Sequence, residues 1–156
     1  MKFKISKGKF CGEYISFIPP EDFTLETSQN ELDRSIKFVS VDNSIVLTIR
    51  LEREAPMGAD GLVDYLTDND YYILSEPRAL KRGYGSAFGA YCGRFPNSAS
   101  CYREAHGFRL YNDYMENQIS VEVEAQGWRS RDINPIYTVL GLPSIKTFFD
   151  SLEYYK

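Results

Sequence analysis

Two stretches of alternating apolar and polar residues flank a short turn in the first half of the chain, and they constrain the fold more than any other feature. Residues 35–41 and 44–53 carry apolar side chains at most second positions, and Asp42 and Asn43 lie between them. A period of two places alternate side chains on opposite faces of a β-strand, and both turn residues tolerate positive φ angles. The pattern therefore predicts a tight antiparallel hairpin.

Pairing about this turn determines which residues of the hairpin meet. Phe38 is expected opposite Leu47, and Ile36 opposite Ile49. Leu51 then shares the core-facing side of its strand with Leu47 and Ile49, because side chains two residues apart lie on the same face. Three residues of that strand are expected to face water: Thr48, Arg50 and Glu52.

Shorter stretches with strand-like composition occur on either side of this hairpin. Residues 13–18 predict a strand that ends at Pro19-Pro20, because proline donates no ladder hydrogen bond. Residues 23–27, 70–75 and 78–81 predict three further strands.

A second hairpin is predicted from residues 86–95 and 100–106, which flank a proline-asparagine turn at 96–97. Pairing about this turn sets Cys92 directly opposite Cys101. If oxidised, the two residues could form a cross-strand disulfide, because directly opposed strand residues satisfy disulfide geometry. The alternative is a pair of small buried apolar side chains.

A third hairpin is predicted about Glu116-Asn117, which would pair Phe108 with Ala125. Its core-facing residues are even-numbered, whereas the cysteine hairpin places Cys101 and its odd-numbered neighbours on one face. A β-bulge at Gly107 would reconcile the two hairpins. A sheet that is covered on both faces would also remove the conflict.

Two segments have helical periodicity. The first is predicted at about 59–69, with Asp60 as N-cap and Asn69 near the C-cap. The second is predicted at about 143–154, and it begins at Pro143, a favourable first-turn residue. Its apolar stripe consists of Ile145, Phe148, Phe149 and Leu152. Strands joined by hairpins, with only two main helices packed on them, predict a single α+β domain over residues 1–156 with an antiparallel sheet.

The composition argues against several classes of protein. A net charge of −4 without a long basic run is unfavourable for nucleic-acid binding. No apolar run approaches the length of a membrane span, and the N-terminus lacks the apolar core of a signal peptide, so a cytoplasmic location is expected. With one histidine, three cysteines and no Cys-x-x-Cys, the sequence predicts no metal site and no cofactor. The glycine-rich segment 83–89 lacks the Lys-Ser/Thr ending of a phosphate loop.

Two groups of residues are candidates for a functional site. His106 is the only imidazole, and Glu104 would share its face of a strand. The sequence favours the simpler interpretation, a hydrogen-bonded histidine at a sheet margin, because no motif ties a nucleophile to it. The second group places cations beside aromatic rings, a composition typical of interface hot spots: Tyr84, which follows the basic stretch 78–82, and Trp128, Arg129 and Arg131. The alternative for this second group is a pair of solvated loops.

The order of elements and the segment Phe17-Ile18-Pro19-Pro20-Glu21-Asp22-Phe23 resemble the Mog1/PsbP-like fold family. Members often begin with a short strand, a proline and an aromatic residue, and Phe23 stands where tryptophan is common. The resemblance implies a curved antiparallel sheet packed between helices. It also implies a binding or adaptor role, because members act in photosystem assembly, GTPase-linked nuclear transport and the chaperoning of secreted effectors.

The sequence thus favours a non-enzymatic binding, adaptor or chaperone-like module with a protein partner, acting through a sheet face and the aromatic and arginine-bearing loops. The alternative is a small-molecule-binding or hydrolytic domain with a pocket near His106 and Glu104. A third hypothesis is a homodimer subunit that joins along a sheet edge, which the charged residues Lys37, Arg50 and Glu52 disfavour.

Overall fold

The large sheet and the helices are seen in a computed structural model that describes residues 3–12, 15–26, 35–53, 59–82, 85–94, 99–109, 116–125 and 134–154. Within these ranges the strands are β1 (Phe3–Ser6), β2 (Lys9–Gly12), β3 (Ile15–Phe17), β4 (Phe23–Glu26), β5 (Ser35–Ser40), β6 (Ile45–Arg53), β7 (Tyr71–Ile73), β8 (Arg78–Arg82), β9 (Gly85–Arg94), β10 (Ala99–Arg109), β11 (Glu116–Ala125) and β12 (Glu153–Tyr154). The helices are α1 (Ala59–Asp68), α2 (Asn134–Leu140) and α3 (Pro143–Ser151).

These strands form two antiparallel sheets, so the predicted α+β class with an antiparallel sheet is confirmed. The larger sheet has the order β4-β5-β6-β11-β10-β9-β7, and β8 also pairs with β9. The smaller sheet has the order β1-β2-β3-β12. Most pairs join strands that follow one another in the chain, whereas the pairs β6 with β11 and β3 with β12 join strands that are distant in sequence.

The hairpin about Asp42 has the predicted register, with Ile36 opposite Ile49 and Phe38 opposite Leu47. Leu47 and Ile49 are fully buried. One expectation is wrong, because Thr48 is buried and only 8% exposed, while Arg50 is exposed as predicted. The side chain of Glu52 lies outside the described residues.

The cysteine hairpin is also confirmed, with Cys92 directly opposite Cys101 in the pairing of β9 with β10. The predicted turn between them lies outside the described residues.

The third predicted hairpin is wrong. Glu116 and Asn117 do not form a turn, because they begin β11 and pair with Arg109 and Phe108. Ala125 pairs with Ser100, not with Phe108. The turn propensity of two residues is small beside the ladder of β10 with β11, which extends over ten residue pairs in this register.

The proposed bulge at Gly107 is wrong as well. Gly107 pairs with Gln118 inside an uninterrupted ladder. The second explanation for the even-numbered and odd-numbered core residues is the correct one, because the large sheet carries buried apolar residues on both faces. Cys101 packs with Leu62 of α1 on one face, whereas Tyr102 packs in the larger cluster on the other.

The first predicted helix is confirmed as α1, although Asp60 lies in its first turn and is not the N-cap. At its end the Asn69 backbone N–H and side-chain Nδ2 both donate to the Tyr65 carbonyl, at 3.1 and 2.8 Å. Asp70 follows with φ 64°, the left-handed geometry that commonly ends a helix.

The second predicted helix begins at Pro143 as expected but ends earlier, at Ser151. Residues Glu153 and Tyr154 form β12 and pair with β3. The Ser151 hydroxyl accepts a hydrogen bond from the Ile18 backbone N–H at 2.8 Å, which joins the end of α3 to the segment after β3. Helix α2 was not predicted, although Pro135 at its second position suits a first turn.

The N-terminal hairpin of β1 and β2 was also not predicted. Lys7 and Gly8 turn it with φ 49° and 76°. Its Phe10 stacks on Phe17 of β3 at 5.6 Å and meets Phe38 of the large sheet edge to face at 5.5 Å. The smaller sheet, α2 and α3 therefore cover one face of the large sheet, and α1 lies on the opposite face.

Candidate functional site

One row of directly paired residues crosses the large sheet on the face that carries α1, here called the outer face. In order from β4 to β7 the row is Thr24, Val39, Val46, Glu124, Cys101, Cys92 and Ile73. Helix α1 contacts β7 and β9, so it covers the end of the row that contains the cysteines. At the other end Thr24 is exposed, and Val39 and Val46 are only half-buried.

This open end of the outer face forms a groove of about 730 Å³, here called the outer-face groove. Its lining residues come from β4, β5, β6 and the hairpin turn: Thr24, Leu25, Glu26, Val39, Ser40, Val41, Asn43 and Val46. Val41 is 81% exposed. Leu25 is 37% exposed, but it pairs with the core residue Phe38, so its side chain lies on the opposite face of the sheet. Among the residues that the structure describes, Leu142 is the one other exposed large apolar side chain. Apolar side chains grouped beside a groove are a feature of contact surfaces, whereas scattered ones are ordinary.

The turn at the end of this groove is held by a carboxylate. Asp42 Oδ1 accepts hydrogen bonds from the Ser44 hydroxyl at 2.7 Å, the Ser44 backbone N–H at 3.0 Å and the Ser40 hydroxyl at 2.8 Å. These bonds, chiefly the one from the Ser44 hydroxyl, lower the pKa of Asp42 from 3.8 to about 2. The groove therefore ends in a hydrogen-bonded turn whose carboxylate stays ionised at neutral pH.

A buried polar network lies on the same outer face, between the groove and α1. The Arg103 guanidinium donates to Glu122 Oε2 at 3.2 Å, and the Tyr71 hydroxyl donates to the same oxygen at 2.8 Å. The Arg103 guanidinium carbon also lies 4.0 Å from the centre of the Tyr65 ring of α1. Arg103 is only 1% exposed. This network joins α1 and β7 to the central strands, so its arrangement is that of a structural anchor.

The predicted pair Glu104 and His106 lies on one continuous strand, β10, two residues apart and hence on one strand face. Glu104 is fully buried, and its Oε1 accepts a hydrogen bond from the Tyr102 hydroxyl at 2.6 Å. The side chain of His106 lies outside the described residues.

The other predicted site residues lie outside the described ranges altogether: Tyr84, Trp128, Arg129 and Arg131. The basic stretch before Tyr84 forms β8, which pairs with β9. The part of these four residues in a ligand or partner surface stays a prediction.

The two opposed cysteines are free thiols with their sulfur atoms 2.9 Å apart. Both side chains are fully buried. The hydrogen bond with Cys92, followed by burial, raises the pKa of the Cys101 thiol far above its usual range. A thiol in this state is unreactive at neutral pH, because the thiolate is the nucleophile. The disulfide stays the alternative that the sequence leaves open, beside the pair of small buried apolar side chains.

Searches for two further features were confined to the described ranges. In these ranges no group of three or more histidine, cysteine, aspartate or glutamate side chains could hold a metal ion. No helix in the same part of the chain is long and apolar enough to cross a membrane.

The residues of the outer-face groove were not predicted from sequence. The signal that could have revealed them is the pair Val39 and Val41, which alternates with the core residue Phe38 in the same strand. Apolar residues on both faces of a strand, here Phe38 on one and the two valines on the other, indicate that neither face is purely solvent-facing.

Comparisons with known proteins bear on the fold alone. No protein-family model matches the chain, and no curated protein matches its sequence. A solved structure of a mutant of the protein Mog1 matches with a TM-score of 0.56 and 13% identity, covering 98% of this chain and 96% of that one. A structure of LpqN, which is involved in cell envelope biogenesis of Mycobacterium tuberculosis, matches with a TM-score of 0.50 and 9% identity. The match covers 91% of this chain and 83% of that one. The chain therefore has a Mog1/PsbP-like fold, as the resemblance in its sequence implied.

Proposed function

We propose that this chain is a non-enzymatic binding or adaptor module, and that its partner is a protein seated on the outer-face groove. The observation that carries the proposal is the open end of the large sheet, where half-buried Val39 and Val46 adjoin exposed Thr24 and Val41. Covering apolar area is worth about 25 cal/mol per Å², so a partner that buries these side chains gains free energy without any chemistry.

The groove favours an extended partner segment. Its wall includes β4, the end strand of the large sheet in the described part of the chain. An end strand presents backbone donors and acceptors that an added strand can pair with, while side-chain pockets supply specificity. A groove of about 730 Å³ has room for several side chains of such a segment.

The predicted aromatic and arginine-bearing loops belong to this proposal as a second part of the contact surface. Trp128, Arg129, Arg131 and Tyr84 have the composition of interface hot spots. A chaperone-like activity, in which the module holds a segment of another protein, is one form of this function. A cytoplasmic location is part of this proposal. We expect no nucleic acid among the partners, because the net charge is −4 and the chain has no long basic run.

A second candidate function is a small-molecule-binding or hydrolytic domain near His106 and Glu104. The observation in its favour is the complete burial of the Glu104 carboxyl, since buried carboxyls with a defined hydrogen-bond partner occur at active sites. It requires a substrate whose turnover depends on both residues. Turnover that is lost in His106→Ala and in Glu104→Gln, with the fold retained, would favour this function over the binding module.

The main proposal is tested by comparing what two variants capture. Val41→Asp places a charge at an exposed residue that lines the groove, whereas Leu142→Asp places the same charge at an exposed leucine between α2 and α3. Leu142 precedes α3 as its N-cap, a position that aspartate favours, so the control retains the fold. Proteins captured from a source-cell extract are quantified for the wild type and for both variants.

The proposal expects specific proteins that bind the wild type and Leu142→Asp. The amount captured by Val41→Asp should be lower by about tenfold, because a buried unpaired charge is costly. Equal capture by the two variants would overturn the placement of the surface. Capture of nothing above background by the wild type would overturn the binding function itself.

A further inference from the structure

A second cavity lies on the opposite face of the large sheet, under α3. It has a volume of about 250 Å³ and is lined by Tyr91, Tyr102, Leu140, Lys146, Phe149 and Asp150. Tyr91 and Tyr102 face each other directly in the pairing of β9 with β10, which places them on the face away from the cysteines. The cavity is therefore separate from the outer-face groove.

Three aromatic rings in contact form one wall of this cavity. The Tyr91 and Tyr102 ring centres are 5.1 Å apart, and the Tyr102 and Phe149 centres are 5.8 Å apart in an edge-to-face arrangement. The hydrogen bond from Tyr102 to the buried Glu104 holds the central ring in place. Tyr102 and Phe149 are only 8% and 6% exposed, so the half-buried Tyr91 provides most of the surface on which another aromatic ring can pack in offset or edge-to-face geometry.

Two opposite charges stand at the rim. Lys146 and Asp150 are both exposed and lie four residues apart on α3, so they are neighbours on one side of the helix. Both also line the cavity. An ammonium and a carboxylate at the opening of an aromatic cavity are complementary to a ligand that carries both charges next to a ring.

The volume sets the size of that ligand. An apolar cavity of about 150 Å³ holds benzene, so a cavity of about 250 Å³ holds one ring with a short polar arm. We propose that this cavity binds a free aromatic amino acid. The ring lies against Tyr91, Tyr102 and Phe149, the ligand carboxylate pairs with Lys146, and the ligand ammonium pairs with Asp150. This site is independent of the proposed protein-binding surface, and its test leaves that proposal unaffected.

Four ligands test the contributions of the ring, the ammonium and the carboxylate to binding one at a time. L-phenylalanine carries the ring and both charges, 3-phenylpropionate lacks the ammonium, phenethylamine lacks the carboxylate, and L-alanine lacks the ring. Binding to the full chain is measured by titration calorimetry and by ligand-observed NMR. We expect saturable binding of L-phenylalanine at millimolar concentration or below, with each of the other three weaker by about tenfold or more, because each loses one contact.

Variants of the two rim residues locate the binding. Lys146→Met and Asp150→Asn remove one charge each at exposed positions, so the fold is retained. The matched controls are Asp64→Asn, which removes a charge from an exposed position on α1, and Arg78→Met, which does so on β8. Both rim variants should weaken L-phenylalanine binding by about tenfold, and neither control should change it by more than about twofold.

Three results would overturn the proposal. The first is the absence of saturable binding of L-phenylalanine. The second is binding that the rim variants do not weaken relative to the controls. The third is equal affinity for L-phenylalanine and L-alanine, since that would show that the aromatic wall takes no part.

Discussion

Tyr102 lies over Gly89 on the neighbouring strand, so close that a side chain at position 89 would overlap it. A Cβ atom there would lie 3.0 Å from Tyr102 Cζ and 2.9 Å from Leu80 Cδ1, and it would overlap the tyrosine hydroxyl. Gly89 is directly opposite Glu104, whose carboxylate accepts the Tyr102 hydrogen bond. The glycine thus makes room for the ring that both reaches Glu104 and lines the cavity under α3.

Gly89→Ala is expected to lower the free energy of unfolding by about 1–3 kcal/mol, the usual effect of overpacking a well-packed site. Tyr102→Phe removes the atom nearest to the added methyl group, so the cost of Gly89→Ala should be smaller in that background. Urea denaturation of the wild type, both single variants and the double variant measures this coupling. Additive changes in the free energy of unfolding would show that a methyl group at position 89 does not overlap the Tyr102 hydroxyl.

Tyr102→Phe alone is expected to cost about 1–3 kcal/mol, because it removes a 2.6 Å hydrogen bond to a fully buried carboxyl. Tyr71→Phe is the matched control. It removes a 2.8 Å bond to Glu122, which is less buried and also receives a hydrogen bond from Arg103. Thermal and urea unfolding should rank Tyr102→Phe as the more costly change. The reverse order would contradict the burial assigned to Glu104.

Arg103→Ala is expected to destabilise the chain by about 3–5 kcal/mol, since it leaves Glu122 without its cation and removes the contact with Tyr65. Arg50→Ala, at an exposed position on the same outer face, should change stability by no more than about 0.5 kcal/mol. Urea unfolding gives both values. Similar losses in the two variants would mean that the Arg103 network contributes no more than a surface charge.

Asp42 gives the chain a defined response to acid. Its pKa is lowered to about 2 in the folded chain, against about 3.9 when unfolded, so its stabilising effect is complete above the unfolded value. That effect is lost as the pH falls from about 4 through about 2, because the protonated carboxyl no longer accepts the three hydrogen bonds of the turn as a charged group. The loss of stability over this window should be shallower in Asp42→Ala than in the wild type. NMR titration of the Asp42 carboxyl should give a midpoint near 2, and a midpoint near 4 would contradict the hydrogen bonds of the turn.

The three cysteines should differ in reactivity. Cys11 is half-buried, whereas Cys92 and Cys101 are fully buried and the pKa of the Cys101 thiol is raised. With a chromogenic disulfide reagent at pH 7, we expect one thiol to react in the native protein and three in denaturant without reductant. Fewer than three thiols in denaturant would show that the opposed pair is oxidised. Three thiols that react equally fast in the native protein would contradict their burial.

The sequence predicted best those elements in which local pattern and tertiary pairing agree. The hairpin about Asp42 combines strict alternation with a turn residue whose side chain stabilises the turn, and its register is as expected. The register of Cys92 with Cys101 and the position of α1 follow from equally local signals.

The errors come from features that depend on long-range packing. Glu116-Asn117 has turn composition, but the ladder with β10 outweighs it. Thr48 alternates like a solvent-facing residue, yet the outer face is covered near the centre of the sheet. The aromatic cavity could not be predicted, because it is built from elements that are distant in sequence, such as β9 and α3. The outer-face groove comes from consecutive strands, but it is open because α1 covers only the other end of the sheet.

The central claim is that a protein partner sits on the outer-face groove, and site-specific photo-crosslinking in cells tests it most directly. A photo-reactive amino acid is placed at Val41, which is 81% exposed beside the groove, or at Leu142 as the control. The proposal expects discrete crosslinked products from position 41 that are absent from position 142. Products of the same size from both positions, or none from position 41, would contradict it.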